Sequence, residues 1–185
     1  MAITINGTGT ITGISAGGLP DGSVTAADLA SSISLGKVLQ VVHTVYGTSD
    51  TNTTTTLADT GLSLSITPVA AGSKILVIVS QAIQTSSSSH ADSRYANFYI
   101  LRGSTILEDD SLGGTGYFGI YAAGSTSRQA YGVLPQQILD DPTYTLGNSI
   151  TYKTQHRPNV TSSGGQTTAQ PAGKQSRMTL MEISA

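Results

Sequence analysis

GLSLSITPVAAGSKILVIVSQAIQ, residues 61–84, holds two strand signals in succession and sets the fold class. In its first part apolar and small polar residues alternate, so Leu62, Leu64 and Ile66 share one face of an extended chain and Ser63 and Ser65 share the other. Pro68 has no N–H to give to a ladder and ends the run. Residues 73–84 form the most apolar run of the chain, the composition expected of a central strand covered on both faces.

The same pattern extends outward in both directions. Residues 37–46, KVLQVVHTVY, have period two and are rich in β-branched side chains, which predicts a first strand. The tract 48–56 is polar and turn-like. Residues 86–90 read as a loop, and 94–101 with 105–108 read as a hairpin about Gly103. Residues 117–121, 128–139, 149–156 and 177–183 supply further strands between Gly, Ser and Asp-Pro breakers, and 157–175 reads as a long exposed loop. Met178, Leu180 and Ile183 are expected inward or at a subunit seam. Eight or nine short strands at this spacing predict an all-β, jelly-roll-like β-sandwich head over residues 37–185.

Composition agrees with strands. Of 185 residues only 11% are charged, the net charge is -2, and Ser with Thr make up roughly a quarter. The nine Lys and Arg are scattered, so no basic patch calls for nucleic acid. Cysteine is absent, which excludes disulfides and thiolate sites. The longest apolar block is too short to span a bilayer and no signal-peptide pattern opens the chain; the expectation is a product made in a cytoplasm without membrane insertion.

Residues 1–36 differ from the rest. They consist almost wholly of Gly, Ala, Ser and Thr with isolated Ile and Leu, and Thr4-Ile5-Asn6-Gly7 returns six residues later as Thr10-Ile11-Thr12-Gly13. Single apolar residues at this density bury too little area to offset the entropy of ordering, unless another polypeptide covers them. The segment therefore reads as an extended attachment arm, with Ile3, Ile5, Ile11, Ile14 and Leu19 as its docking residues. A Gly/Pro turn at 17–22 and one or two helical turns at 25–30, N-capped by Thr25, complete it.

Chemistry is sparse. His43, His90 and His156 have no ligand spacing, which predicts no metal and no cofactor. The acids Glu108, Asp109 and Asp110, and the pair Asp140 and Asp141, lack the pattern of a calcium loop. Gly113-Gly114-Thr115-Gly116 lacks the Lys-Ser/Thr of a phosphate loop, and no nucleophile elbow is present. The expectation is a non-enzyme with no catalytic residues. Tyr95, Asn97 and Tyr99 share strand parity and, with Tyr117, form a half-polar face suited to a glycan or subunit contact. A carbohydrate-binding or carbohydrate-cleaving module would use these tyrosines with the acids at 108–110.

The opening ITINGTGTITGISAGGLPDGSVTAADLA, residues 3–30, resembles the amino-terminal segment of bacteriophage tail-fibre and virion structural proteins of the aquatic phage type. In the same order, GKVLQVV, GLSLSITPVAAGSKILVIV, FYILRGSTIL, TYTLGNSITYKTQ and MTLMEISA are similar to the carboxyl-terminal domain of that group. The resemblance implies a homotrimeric, non-enzymatic protein of the virion surface, partnered by phage tail or capsid proteins and by a host surface glycan. A longer shaft is usual between the two parts. Here Ile33-Ser34-Leu35-Gly36 leads straight into Lys37, which suits a compact projection and leaves a short tail fibre and a capsid decoration (cement) protein as the two roles.

Overall fold

Residues 37–88, 94–108, 115–120 and 127–184 are described by a computed structural model; the predicted arm, with its helical turn, lies outside them. The described chain forms β1 (Val38–Tyr46), β2 (Asp50–Asn52), β3 (Ala58–Ile66), β4 (Lys74–Ser87), β5 (Arg94–Arg102), β6 (Thr105–Ile106), β7 (Gly116–Ile120), β8 (Arg128–Asp140), β9 (Ile150–Pro158), β10 (Gln166–Ala169) and β11 (Ser176–Ile183). They build two antiparallel sheets, and the fold is all-β.

Sheet I is organised on β4, the apolar run of the sequence. β8 pairs along one whole edge of it, from Ile75↔Asp140 to Ser87↔Arg128. The other edge is divided end to end: β11 pairs with residues 74–80 and β10 with residues 83–86. β1 lies outside β11, and β2 outside β10. Sheet II runs β3-β9-β5, with β7 and β6 sharing the far edge of β5. Taking β1 with β2, β6 with β7 and β10 with β11 as interrupted strands leaves eight rows. Row one pairs with row eight, two with seven, three with six and four with five, in alternating sheets.

The sheets face each other, with β1 and β11 over β3, β4 over β5, and β8 over β7. Between them lie Leu62 and Ile66 of β3, Ile75, Val77 and Val79 of β4, Phe98 and Ile100 of β5, Tyr152 of β9, and Met178 and Leu180 of β11. The alternation at 61–66 thus turned its apolar side inward as the pattern predicts. Of the two positions expected for Ile183, inward or at a subunit seam, the first is overturned: it points outward, because its neighbour Glu182 takes the inward place.

Beyond this apolar half the interior is polar. Thr154 Oγ1 donates to Gln81 Oε1 at 3.2 Å, Gln81 Nε2 donates to Ser176 Oγ at 2.9 Å, and Thr60 and Thr154 share a hydroxyl bond. The Gln170 amide satisfies its surroundings when its nitrogen faces the carbonyls of Thr60 and Thr48, at 3.0 and 3.2 Å, and its oxygen accepts from Gln81 and Ser176. Gln170 holds a left-handed backbone (φ 48°), which these bonds fix in place.

Two expectations are corrected. The turn-like tract 48–56 contains β2, and the presumed exposed loop 157–175 contains β10, where Thr167, Ala169 and Gln170 are fully buried. Both strands are short and polar, without apolar alternation. β10 forms because the second half of β4 supplies Thr, Ser and Gln for it to pair with, and β2 forms on the outer edge of β10; neither forms because of its own sequence.

Candidate interaction surfaces

On sheet II, Ala96, Phe98 and Ile100 of β5 face the core, so Tyr95, Asn97 and Tyr99 stand on the outer face. The strand register sets Tyr117 of β7 opposite Asn97 and Gly119 opposite Tyr95. Tyr95 and Tyr117 meet edge to face, with centroids 5.4 Å apart at 78°. A Cβ on Gly119 would lie 2.1 Å from the Tyr95 ring, so that ring rests directly on the glycine. Arg157 of β9 sets its guanidinium 5.5 Å from the Tyr99 centroid, a cation–π contact. The four predicted residues are therefore brought to one face. They differ in access: Tyr117 is 45% exposed, whereas Asn97 and Tyr99 are 4% and 1% exposed, and neither Asn97 Oδ1 nor the Tyr99 hydroxyl has a hydrogen-bond partner among the described residues.

Sheet I presents a different outer face. Cross-strand register lines up Val41 of β1, Met181 of β11, Leu76 of β4 and Leu139 of β8 as one apolar row over all four strands. Val41 and Leu139 are more than half exposed, while Leu76 and Met181 are half-buried. Ile183 and Ile78 flank the row. Here β4 has the composition of a strand covered on both faces, yet over residues 74–80 only one face is fully covered by the described residues. Single exposed apolar residues are ordinary on a protein surface; a row running across a sheet is a candidate contact.

The titratable groups serve the fold. His156 is fully buried: its Nε2 lies 3.1 Å from Asp50 Oδ1, and its Nδ1 lies 2.9 Å from Thr167 Oγ1. Burial pushes the imidazole below its ordinary value, and Asp50 reverses part of that shift, so the ring is neutral, donating to Asp50 and accepting from Thr167. The order Thr-His-Asp has the outline of a nucleophilic triad, but Thr167 is itself fully buried and no substrate reaches its hydroxyl. Nothing in the spacing of Asp50, His156 and Thr167 along the sequence signals this trio. Asp140 accepts from Arg102 Nη1 at 2.6 Å and from the Tyr152 hydroxyl at 2.7 Å, and Asp141 pairs with exposed Lys74. Burial first, and then the Asp140 carboxylate, raise the Tyr152 phenol far above its ordinary value, so it remains a donor. Asp140 thus clamps the two sheets at one end, whereas the Asp141–Lys74 pair stays exposed on sheet I.

Among the described residues no three acidic or imidazole side chains converge on a metal position, and no helix is long and apolar enough to cross a membrane. The predicted docking residues Ile3, Ile5, Ile11, Ile14 and Leu19 lie outside the described residues, as do His90, Asp109, Asp110 and Tyr121. A scan against protein-family models finds no match to this chain, and a search of curated proteins finds no significant one.

Proposed function

We propose that this chain is a non-enzymatic structural protein of a bacteriophage virion, a homotrimeric surface projection whose residues 1–36 dock it to the particle and whose β-sandwich head faces outward. The observation that carries the reading is the apolar row Val41–Met181–Leu76–Leu139, which a second protomer or a particle protein would cover. Strand order supports it. Pairing row one with eight, two with seven, three with six and four with five is how a hairpin ribbon wraps into a jelly roll, an architecture used by viral capsid and lectin domains. The resemblance of residues 3–30 and of the strand segments to phage tail-fibre proteins supplies the virion and the trimer.

The direct step from residue 36 to β1, with no intervening shaft, favours a second role as a capsid decoration protein. Copy number separates the two: a decoration protein reaches hundreds of copies per particle, and a fibre tens or fewer. The primary test is light scattering on the full chain. The expected mass is three times the 19.0 kDa protomer, and Leu76→Asp with Met181→Asp should reduce it to one protomer with an unchanged β-sheet circular dichroism spectrum. A monomeric wild-type chain would overturn the proposal.

A further inference from the structure

At the other end of the same face of sheet I, β10 gives way to β11 and the chain leaves the sheet in a 3-10 turn, Pro171–Gly173. At Ala82 the edge of β4 is met by the Gln170 N–H and the Ser176 hydroxyl oxygen in place of a continuous strand, while β8 continues alongside. The result is an open hollow of about 610 Å³, with Ala82 as its floor, Tyr131 and Val133 of β8 on one side, and Pro171, Lys174 and Arg177 on the other. Its volume is that of a small-molecule site.

We infer that this hollow binds a carboxylate-bearing saccharide, such as a uronic acid unit of an acidic polysaccharide. Three features specify that chemistry. Tyr131 is 59% exposed and its hydroxyl donates to Gln129 Oε1 at 2.7 Å, which holds the ring upright as a surface for the C–H face of a pyranose. Lys174 and Arg177 form no ion pair among the described residues, and Arg177 Nη2 donates only to Gln175 Oε1. No carboxylate among the described residues lines the hollow, so the two cations are available to an anionic ligand. The wall that presents them is pre-formed: Ala172 and Gly173 keep left-handed backbones, and the turn is anchored by the buried Gln170 amide. An open trough admits one unit of a polymer without enclosing its ends.

Ala82 lies six residues along β4 from Leu76, roughly 20 Å at about 3.3 Å per residue. The hollow is thus separate from the apolar row, and this inference stands or falls independently of the proposed assembly.

Amide shift perturbation on the full chain tests it, with trigalacturonate, galactotriose and triglutamate as probes. Trigalacturonate should shift residues 131–133 and 171–177 and bind at least about tenfold more tightly than galactotriose. Lys174→Gln with Arg177→Gln should cost about tenfold or more, and Tyr131→Ala should weaken trigalacturonate while leaving triglutamate unchanged. All three side chains are exposed, so an unchanged melting temperature certifies the fold of each variant. Equal binding of the neutral sugar would overturn the inference. So would triglutamate binding as tightly as trigalacturonate regardless of Tyr131, which would mark a plain acidic-peptide contact, or no shift with trigalacturonate at about 10 mM.

Discussion

Glu182 offers the sharpest test of the packing. It is fully buried on β11, where its carboxylate accepts from the Val69 and Ala70 N–H groups at 3.1 Å and from Gln40 Nε2 at 2.6 Å. It therefore ties β1 and the turn between β3 and β4 to the end of β11. Burial alone would raise its pKa; the bonds from Gln40, Val69 and Ala70 outweigh that and hold the carboxyl below its ordinary value of 4.5. Glu182→Gln keeps the shape and turns one acceptor into a donor. If the new NH₂ faces the turn, the backbone N–H groups lose their partner; if it faces Gln40, that amide must flip and give up its 2.7 Å bond to the Thr67 carbonyl. Charge-assisted bonds are worth about 1.5–3 kcal/mol, and an unpaired buried donor costs about 1–3, so the expected loss is about 3 kcal/mol at neutral pH. The melting temperature should fall by about 6–12 °C at ~2–4 °C per kcal/mol for a domain of this size.

Urea denaturation of both proteins between pH 7 and about pH 3 is the assay, with an unchanged m-value as control. The sign is fixed by the depressed pKa: the carboxylate's contribution is present above the ordinary Glu value and is lost as pH falls through the folded value. The gap between wild type and Glu182→Gln should therefore narrow as pH falls, since a protonated Glu resembles Gln. A difference under about 0.5 kcal/mol at pH 7, or one that stays constant to about pH 3, would refute this account.

Two further outcomes follow from His156 and Gly61. Because the folded pKa of His156 lies below the ordinary 6.5, stability should be full above that value and decline as pH falls through it toward the folded pKa, while the unfolded chain takes up the proton first; an NMR midpoint for the His156 ring at or above 6.5 would contradict the site. Gly61 sits at φ +82° in the bulge of β3, and a Cβ there would lie 2.3 Å from the Tyr46 ring, so Gly61→Ala should cost about 2–4 kcal/mol. Adding Tyr46→Leu should recover the steric part and leave the backbone strain, as a double-mutant cycle would read.

The legible part of the candidate surfaces was the placement of Tyr95, Asn97, Tyr99 and Tyr117, since parity within a strand and a short connection constrain it. Their access was not legible, because whether an outward side chain is covered depends on strands far away in sequence. The row Val41–Met181–Leu76–Leu139 has the same origin: its members come from four separate strands, and only register aligns them. The hollow at Ala82 depends on where β10 departs from the sheet.

Taken alone, the sequence determined that residues 37–185 would form strands, which side of residues 61–66 would turn inward, and that the run at 73–84 would be central, because period-two patterning and apolar run length are local properties. Tertiary structure alone decided the polar strands β2 and β10, the outward turn of Ile183, and the buried partners of Glu182, His156 and Gln170. Each of these rests on a hydrogen-bond partner more than a hundred residues away or on the edge offered by β4, and local propensity holds no record of either.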